Sequence, residues 1–398
     1  MTMTHKQQML AVLRGQKADR IPWVPRLDLW YRANRRAETL PPRYAGASLF
    51  EMLDDLGFAC HAVIPDFKAL RSADDEAHRA LGIYNLPCMP VRTVFDGINY
   101  RIVQDGDRQI VEYQTPAGPL TTVTVYDEAM RAAGVTITHV TKYAFSGPQD
   151  YEPLCCLFRS ARVEPNYEGY AAMAGEIGER GFAAAYLSSA ASPLHLIQRE
   201  LMPLEVFFYE LNDRPEEVHR LAECIAGYWR QMYAVAAPAP AEVFLLGANY
   251  HAPIQHPRFF AEHITPWLAE FAEILHRQGK FLLTHTDGEN RGLLEQYLAA
   301  GIDVADSICP TPMTKLTLAD TRRAFQGRIT IMGGFPSVAL VKDAMSDRQF
   351  AEYLDDFFRQ LDRGDHLILG ISDTTPPGAE FDRLLRIRDR IEAFGPVV

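Results

Sequence analysis

The strongest constraint on how this chain folds is a rhythm of short apolar runs, each breaking into polar residues and then into a helical stretch. Six of them lie beyond residue 180: 182–190 (F-A-A-A-Y-L-S-S-A), 242–251 (E-V-F-L-L-G-A-N-Y-H), 281–287 (F-L-L-T-H-T-D), 303–310 (D-V-A-D-S-I-C-P), 328–335 (R-I-T-I-M-G-G-F) and 366–377 (H-L-I-L-G-I-S-D-T-T-P-P). Such lengths suit strands buried on both faces rather than helices. Two earlier runs complete the set. Residues 19–31 (D-R-I-P-W-V-P-R-L-D-L-W-Y) carry prolines that rule out a helix through Val24, so an extended strand is expected, with Arg26, Asp28 and Trp30 on one face. Residues 58–64 (F-A-C-H-A-V-I) follow a Ser-capped helix over 48–56 that Gly57 stops. Eight strands alternating with helices predict an α/β fold, the (β/α)8 TIM barrel, as one domain over residues 1–398. An open doubly wound sheet fits less well, because no G-x-G-x-x-G follows the first strand.

One region breaks the rhythm. Residues 91–95, 100–104, 109–113 and 120–126 are β-rich runs parted by D-G, D-G-D and T-P-A-G-P, which read as hairpins with no helix between them. Residues 91–145 are therefore expected to be an antiparallel insertion in the barrel.

A barrel gathers the carboxyl ends of its strands at one mouth, where catalytic residues sit. The polar residues at those ends are Arg26 and Asp28; His61 and Asp66; Ser188 and Ser189; Asn249 and His251; His285, Asp287 and Glu289; Asp306; and Asp373. Trp30, Tyr31 and Tyr250 are the expected aromatic walls. The stretch 280–290 (K-F-L-L-T-H-T-D-G-E-N) is the richest: if the backbone stays extended, His285, Asp287 and Glu289 point to one side. The plain alternative there is a polar loop with a capping Asp. Arg26 with Asp28 reads either as an ion pair or as an anion-binding guanidinium, and His61 taken alone reads more simply as a core residue. Together these residues suit a divalent metal, or acid–base work on a carboxylate or aryl substrate.

Composition excludes several alternatives. A net charge of −11 without a Lys/Arg cluster argues against a nucleic-acid surface. The six cysteines show no C-x-x-C spacing, as expected of reduced thiols in a cytoplasmic protein. Neither a signal-peptide core nor a membrane-length apolar run is found.

The order of motifs resembles the uroporphyrinogen decarboxylase superfamily, in its methyltransferase-like branch. The matching features are R-I-P-W-V-P-R-L-D, V-F-L-L-G-A-N, H-T-D-G, G-I-D-V-A-D-S, R-I-T-I-M-G-G-F and the closing L-I-L-G with P-P after it. That resemblance implies the barrel, and methyl transfer from a small O- or N-methylated compound to a corrinoid. The corrinoid would be carried by a partner protein, since no D-x-H-x-x-G run is present here. True uroporphyrinogen decarboxylases carry an Arg-rich M-R-Q-A-G-R segment and a closing L-G-H-G, where this chain has P-R-L-D-L-W-Y and L-G-I-S. Decarboxylation of uroporphyrinogen is therefore not expected. The zinc methyltransferases of the superfamily use H-x-C and a second Cys. Here Asp287 and Ile371 stand at those positions, so zinc or another divalent metal would meet a harder set of His285, Asp287 and Glu289, with His251 or Asp373 as further candidates.

The resemblance thus casts His285, Asp287, Asp28 and His61 as catalytic candidates. Arg26, Trp30, Tyr31, Ser189, Asn249, Tyr250, His251 and Asp306 are the substrate-binding ones. Decarboxylation of a small or aromatic acid, with Arg26 holding the carboxylate, and a non-catalytic binding barrel are the alternatives. The expected partners are the substrate, a corrinoid protein and a second copy of the chain in a homodimer.

Overall fold

Parallel strands covered on both faces need side chains that are apolar throughout, and the eight runs meet that need. In the computed structural model, which describes residues 2–64, 73–135 and 137–397, they form one eight-stranded sheet. Its strands are β1 (Trp23–Val24), β2 (Cys60–Ile64), β3 (Gly181–Ser188), β4 (Val243–Ala248), β5 (Phe281–His285), β6 (Val304–Ile308), β7 (Thr330–Phe335) and β8 (Leu367–Ile371). Every pair is parallel, in the order β1-β8-β7-β6-β5-β4-β3-β2. The backbone N–H of Ala59 donates to Trp23 O at 2.9 Å and joins the two edge strands, wrapping the sheet into a (β/α)8 barrel. Close strand approach is built in at Gly181, where a Cβ would stand 1.7 Å from Cys60 O. Asp66 lies outside the described residues.

The expectation for residues 19–31 needs correction. Between Pro22 and Pro25 only Trp23 and Val24 are strand, and a helix runs from Asp28 to Arg36. Beyond Pro25 nothing opposes a helix, and Asp28 in its first turn with Arg35 and Arg36 in its last complement the helix dipole. Arg26 and Asp28 therefore do not share a strand face.

The insertion is antiparallel, as expected, but differs in three respects. Val91–Phe95 pairs with Ala161–Pro165 in a separate two-stranded sheet, because its partner comes from beyond the insertion. The other runs, with the additional strand His139–Lys142, make a four-stranded sheet. A short helix, Glu128–Ala132, also interrupts the meander; Asp127 caps it by accepting from the Met130 N–H, a local signal that outweighs the β-rich context. Buried Val111, Tyr113, Leu120 and Val123 form the core of this sheet, and Tyr113 Oη donates to Ala77 O at 2.9 Å, fastening it to the segment after β2.

Candidate active site

His285 ends β5, and the parallel register sets it beside Asp306 of β6. Its Nδ1 lies 2.7 Å from Asp306 Oδ2. Asp306 is buried, and its other oxygen is 3.5 Å from His61 Nε2. β2 and β6 are not neighbours in the sheet, so this approach crosses the barrel lumen. Neither ring nitrogen of His61 has a hydrogen bond of good geometry; the ring sits edge-on to Phe182 at 5.7 Å.

The second nitrogen of His285 faces the mouth. Nε2 is 3.8 Å from Asp287 Oδ2 and 3.4 Å from Asp373 Oδ1. Ligand atoms of these three residues all lie within 4.8 Å of one another. Arg26 Nη1 is 3.4 Å from the same oxygen of Asp373. Toward the carboxyl ends of strands, four of the described non-glycine residues adopt left-handed backbone: Arg26 (φ 47°), Asn249 (φ 57°), Ser307 (φ 62°) and Asp373 (φ 63°). Such conformations cost energy and re-aim side chains, and they gather where chemistry is done.

The charges reinforce one another. Burial alone would push the His285 imidazole down, but the carboxylates of Asp287, Asp306 and Asp373 outweigh it and hold its pKa well above 6.5. Burial works to raise Asp306, yet His61 and His285 hold it well below 3.8. Asp373 is likewise lowered, against burial, by His285 and Arg26. Cys309, just past β6, is pushed up to about 12, chiefly by burial and then by Asp287 and Asp373, so its thiol stays protonated.

Not every residue expected at the mouth reaches this cluster. Asp28 opens the helix after Arg26 and acts on it only as a nearby charge. Trp30 is buried, donates from Nε1 to Ala379 O at 3.0 Å and stacks on Phe381, so it packs the C-terminal helix rather than walling the mouth. Tyr31 donates to Ala47 O at 2.6 Å. Tyr250 is fully buried, its hydroxyl 2.8 Å from Thr284 Oγ1. Asn249 donates its backbone N–H to His285 O at 3.0 Å, steadying the end of β5. His251 accepts the Glu289 N–H at Nδ1, 3.2 Å away.

Glu289 is the main departure. Its two oxygens accept the backbone N–H groups of Arg291 and Lys315, each at 2.9 Å, so its carboxylate ties two loops together and does not face Nε2 of His285. The strand ends at His285, and the alternation ends with it. Gly288 lies against the Tyr250 backbone, where a Cβ would come within 2.1 Å of the carbonyl oxygen, and this turn carries Glu289 to another side. Asp373 takes the position that alternation assigned to Glu289. Ser189 instead donates to Glu200 Oε1 at 2.8 Å, in a charged cluster with Arg79 and Arg199 that nothing in the sequence pattern marks.

His285, Asp287 and Asp373 could hold a divalent cation. Ligands at 2.0–2.2 Å in a tetrahedron stand roughly 3.3–3.6 Å apart, close to the two separations from Nε2. A buried carboxylate on Nδ1, as Asp306 supplies, is the kind of partner that orients a histidine ligand. Asp287, Asp306 and Asp373 face the Arg26 guanidinium and the protonated His285, which leaves a net negative charge that a cation would offset.

No protein-family model matches this chain, and no curated protein matches it in sequence. Among solved structures, a methyltransferase from Methanosarcina mazei is similar, with a TM-score of 0.52 and 12% identity over 98% of this chain and 99% of that one. The likeness is one of fold. It extends over the whole barrel and its additions, and it leaves the chemistry to the residues themselves.

Proposed function

We propose that this barrel transfers a methyl group from a small O- or N-methylated compound to a corrinoid carried by a partner protein, with a divalent metal held by His285, Asp287 and Asp373. The observation that carries this reading is the double facing of His285, tied by Nδ1 to a buried carboxylate and turned by Nε2 toward two more. The methyltransferase with the similar fold supports the reaction type.

Losing a methyl group leaves negative charge developing on an oxygen, or a lone pair on an amine nitrogen, and that atom needs an electrophilic partner. A bound metal would supply Lewis acidity there. Asp306 fixes the His285 ring and its tautomer, and His61 backs Asp306 from across the lumen. Arg26 holds Asp373 in place. Without a metal, the raised pKa of His285 makes it an imidazolium whose Nε2–H can protonate the leaving atom.

Decarboxylation of a small acid would need Arg26 free to hold a carboxylate. Its guanidinium already lies among Asp373, Asp306, Asp28 and Asp287, which favours methyl transfer.

The test is to incubate purified protein with cob(I)alamin and a panel of aryl methyl ethers and methylamines. Conversion of the cob(I)alamin spectrum to that of methylcobalamin is expected, together with a bound divalent metal by elemental analysis. Asp373→Ala should lose both. A panel that yields no methylcobalamin with any donor, or an Asp373→Ala protein of undiminished turnover, would overturn the reading.

A further inference from the structure

A second charged cluster stands at the mouth, on the side of β3 and β4, and the methyl-transfer chemistry makes no use of it. Arg79, in a short turn after β2, places Nη1 2.6 Å from Glu200 Oε2. Arg199 places Nε 3.1 Å from Glu200 Oε1, which also accepts from Ser189, the residue just past β3. Residues Ile197–Leu201 form a π-helical turn, a distortion that recurs at functional sites and here presents Arg199 and Glu200 together. Arg199 Nη1 reaches toward Ala248 O, at the end of β4, at 3.5 Å.

The balance of charge is the reverse of that around His285. Two guanidiniums share the single carboxylate of Glu200. Glu76, a carboxyl near enough to feel the charge of Arg79, is pushed up to about 7 by burial and gives it only partial compensation at neutral pH. Arg79 is 9% exposed, and its Nε–H has no acceptor among the described residues. A buried guanidinium N–H left without an acceptor is costly, and an incoming anion would satisfy it. Arg199 keeps 27% of its side chain exposed, so a ligand can reach it. Arg26, by contrast, is hemmed in by carboxylates that would repel an incoming anion.

We propose that Arg199 and Arg79 form the carboxylate-binding end of the substrate site, so that the methyl donor is a carboxylate-bearing compound. This rests on the methyl-transfer reading for what happens at the other end. β3 and β5 are separated by β4 alone. Arg199 reaches the end of β4, where Ala248 pairs with His285, so a carboxylate there and a methyl-bearing atom beside His285 would stand one to two strand spacings, ~5–10 Å, apart. Tyr186 of β3 and Tyr84 meet edge-to-face at 5.7 Å, and the Arg79 guanidinium lies over the Tyr84 ring at 5.5 Å, which fixes its position. The planar guanidinium of Arg199 suits a carboxylate better than an ammonium would.

Calorimetric titration with benzoate and with benzyl alcohol, in the absence of any methyl acceptor, tests this independently of turnover. Benzoate should bind at least about tenfold more tightly than the alcohol, as expected for a charge-assisted pair. Arg199→Ala should abolish the preference, Arg199→Lys should restore part of it, and His285→Ala should leave it intact. Equal binding of the two probes, an unchanged preference in Arg199→Ala, or competition by inorganic phosphate as strong as that of benzoate would overturn the assignment. A benzoate preference that depends on Arg199, found in a protein with no methyl-transfer activity, would uphold the subsite and refute the reaction instead.

Discussion

A histidine–aspartate pair stands beside each end of β5 and β6, and the two pairs differ in what they leave unsatisfied. At the amino-terminal end, His276 Nε2 lies 2.9 and 3.1 Å from the two oxygens of Asp303, which also accepts the Leu282 N–H at 2.7 Å. That pair is closed on itself and half open to solvent; it fastens the helix before β5 to the strands. At the carboxyl end, Asp306 is 2% exposed and His285 12%, and Nε2 of His285 still faces two carboxylates that it does not bond. Burial pushes the Asp303 carboxyl up, whereas the two histidines hold Asp306 well down. The same residue types beside the two ends of β5 and β6 thus make a closed tie at one end and, at the end where barrels keep their chemistry, leave an imidazole nitrogen facing carboxylates.

The largest expected effect separates the two histidines. His285→Ala should lower kcat/KM by at least about a hundredfold with an unchanged circular dichroism spectrum, and Asp287→Ala nearly as much. His276→Ala should leave turnover within about twofold of wild type, since no reacting group is near it. Equal losses in His285→Ala and His276→Ala would erase the distinction.

A smaller contrast is expected between the aspartates. Asp306→Asn keeps the shape but weakens the hold on His285, so metal affinity should fall about 10- to 100-fold in chelator competition. Asp303→Asn should leave metal affinity unchanged and cost on the order of 1 kcal/mol in urea denaturation. Loss of metal from the Asp303 variant would show that the lower pair also shapes the mouth.

The smallest effect is in pH. The depressed Asp306 contributes stability in metal-free protein that is full above 3.8 and disappears as pH falls through its lower native value. The raised His285 contributes stability that is full below 6.5 and disappears as pH rises through its higher native value. Asp303, raised, weakens the fold above its native pKa, and that weakness is relieved as pH falls toward 3.8. The destabilisation caused by Asp306→Asn should therefore shrink on acidification, while that of Asp303→Asn should not. Parallel pH profiles for the two variants would contradict the opposite shifts.

Much of the barrel was legible in the chain. Strand identity depends on local runs of apolar residues, and all eight strands fall within one residue of the stretches read as strands. The first is only two residues long because proline signals where a helix cannot run, without saying how soon one can begin. The helix at Glu128–Ala132 shows the same limit: one capping aspartate sufficed for a turn of helix inside a β-rich region.

The sequence by itself determined the number and order of the strands and put His285, Asp287 and Asp306 near their ends, because period-two alternation is a local property of extended chain. Only the tertiary structure decided which polar groups meet. Arg26 and Asp373 are 347 residues apart and touch because β1 and β8 are neighbours in the sheet. His61 reaches Asp306 because the sheet closes on itself. Glu289 left the cluster and Asp373 entered it where the backbone ceases to be extended. Past that point, left-handed φ values and close backbone contacts set side-chain direction, and these arise from packing between distant segments rather than from any repeat along the chain.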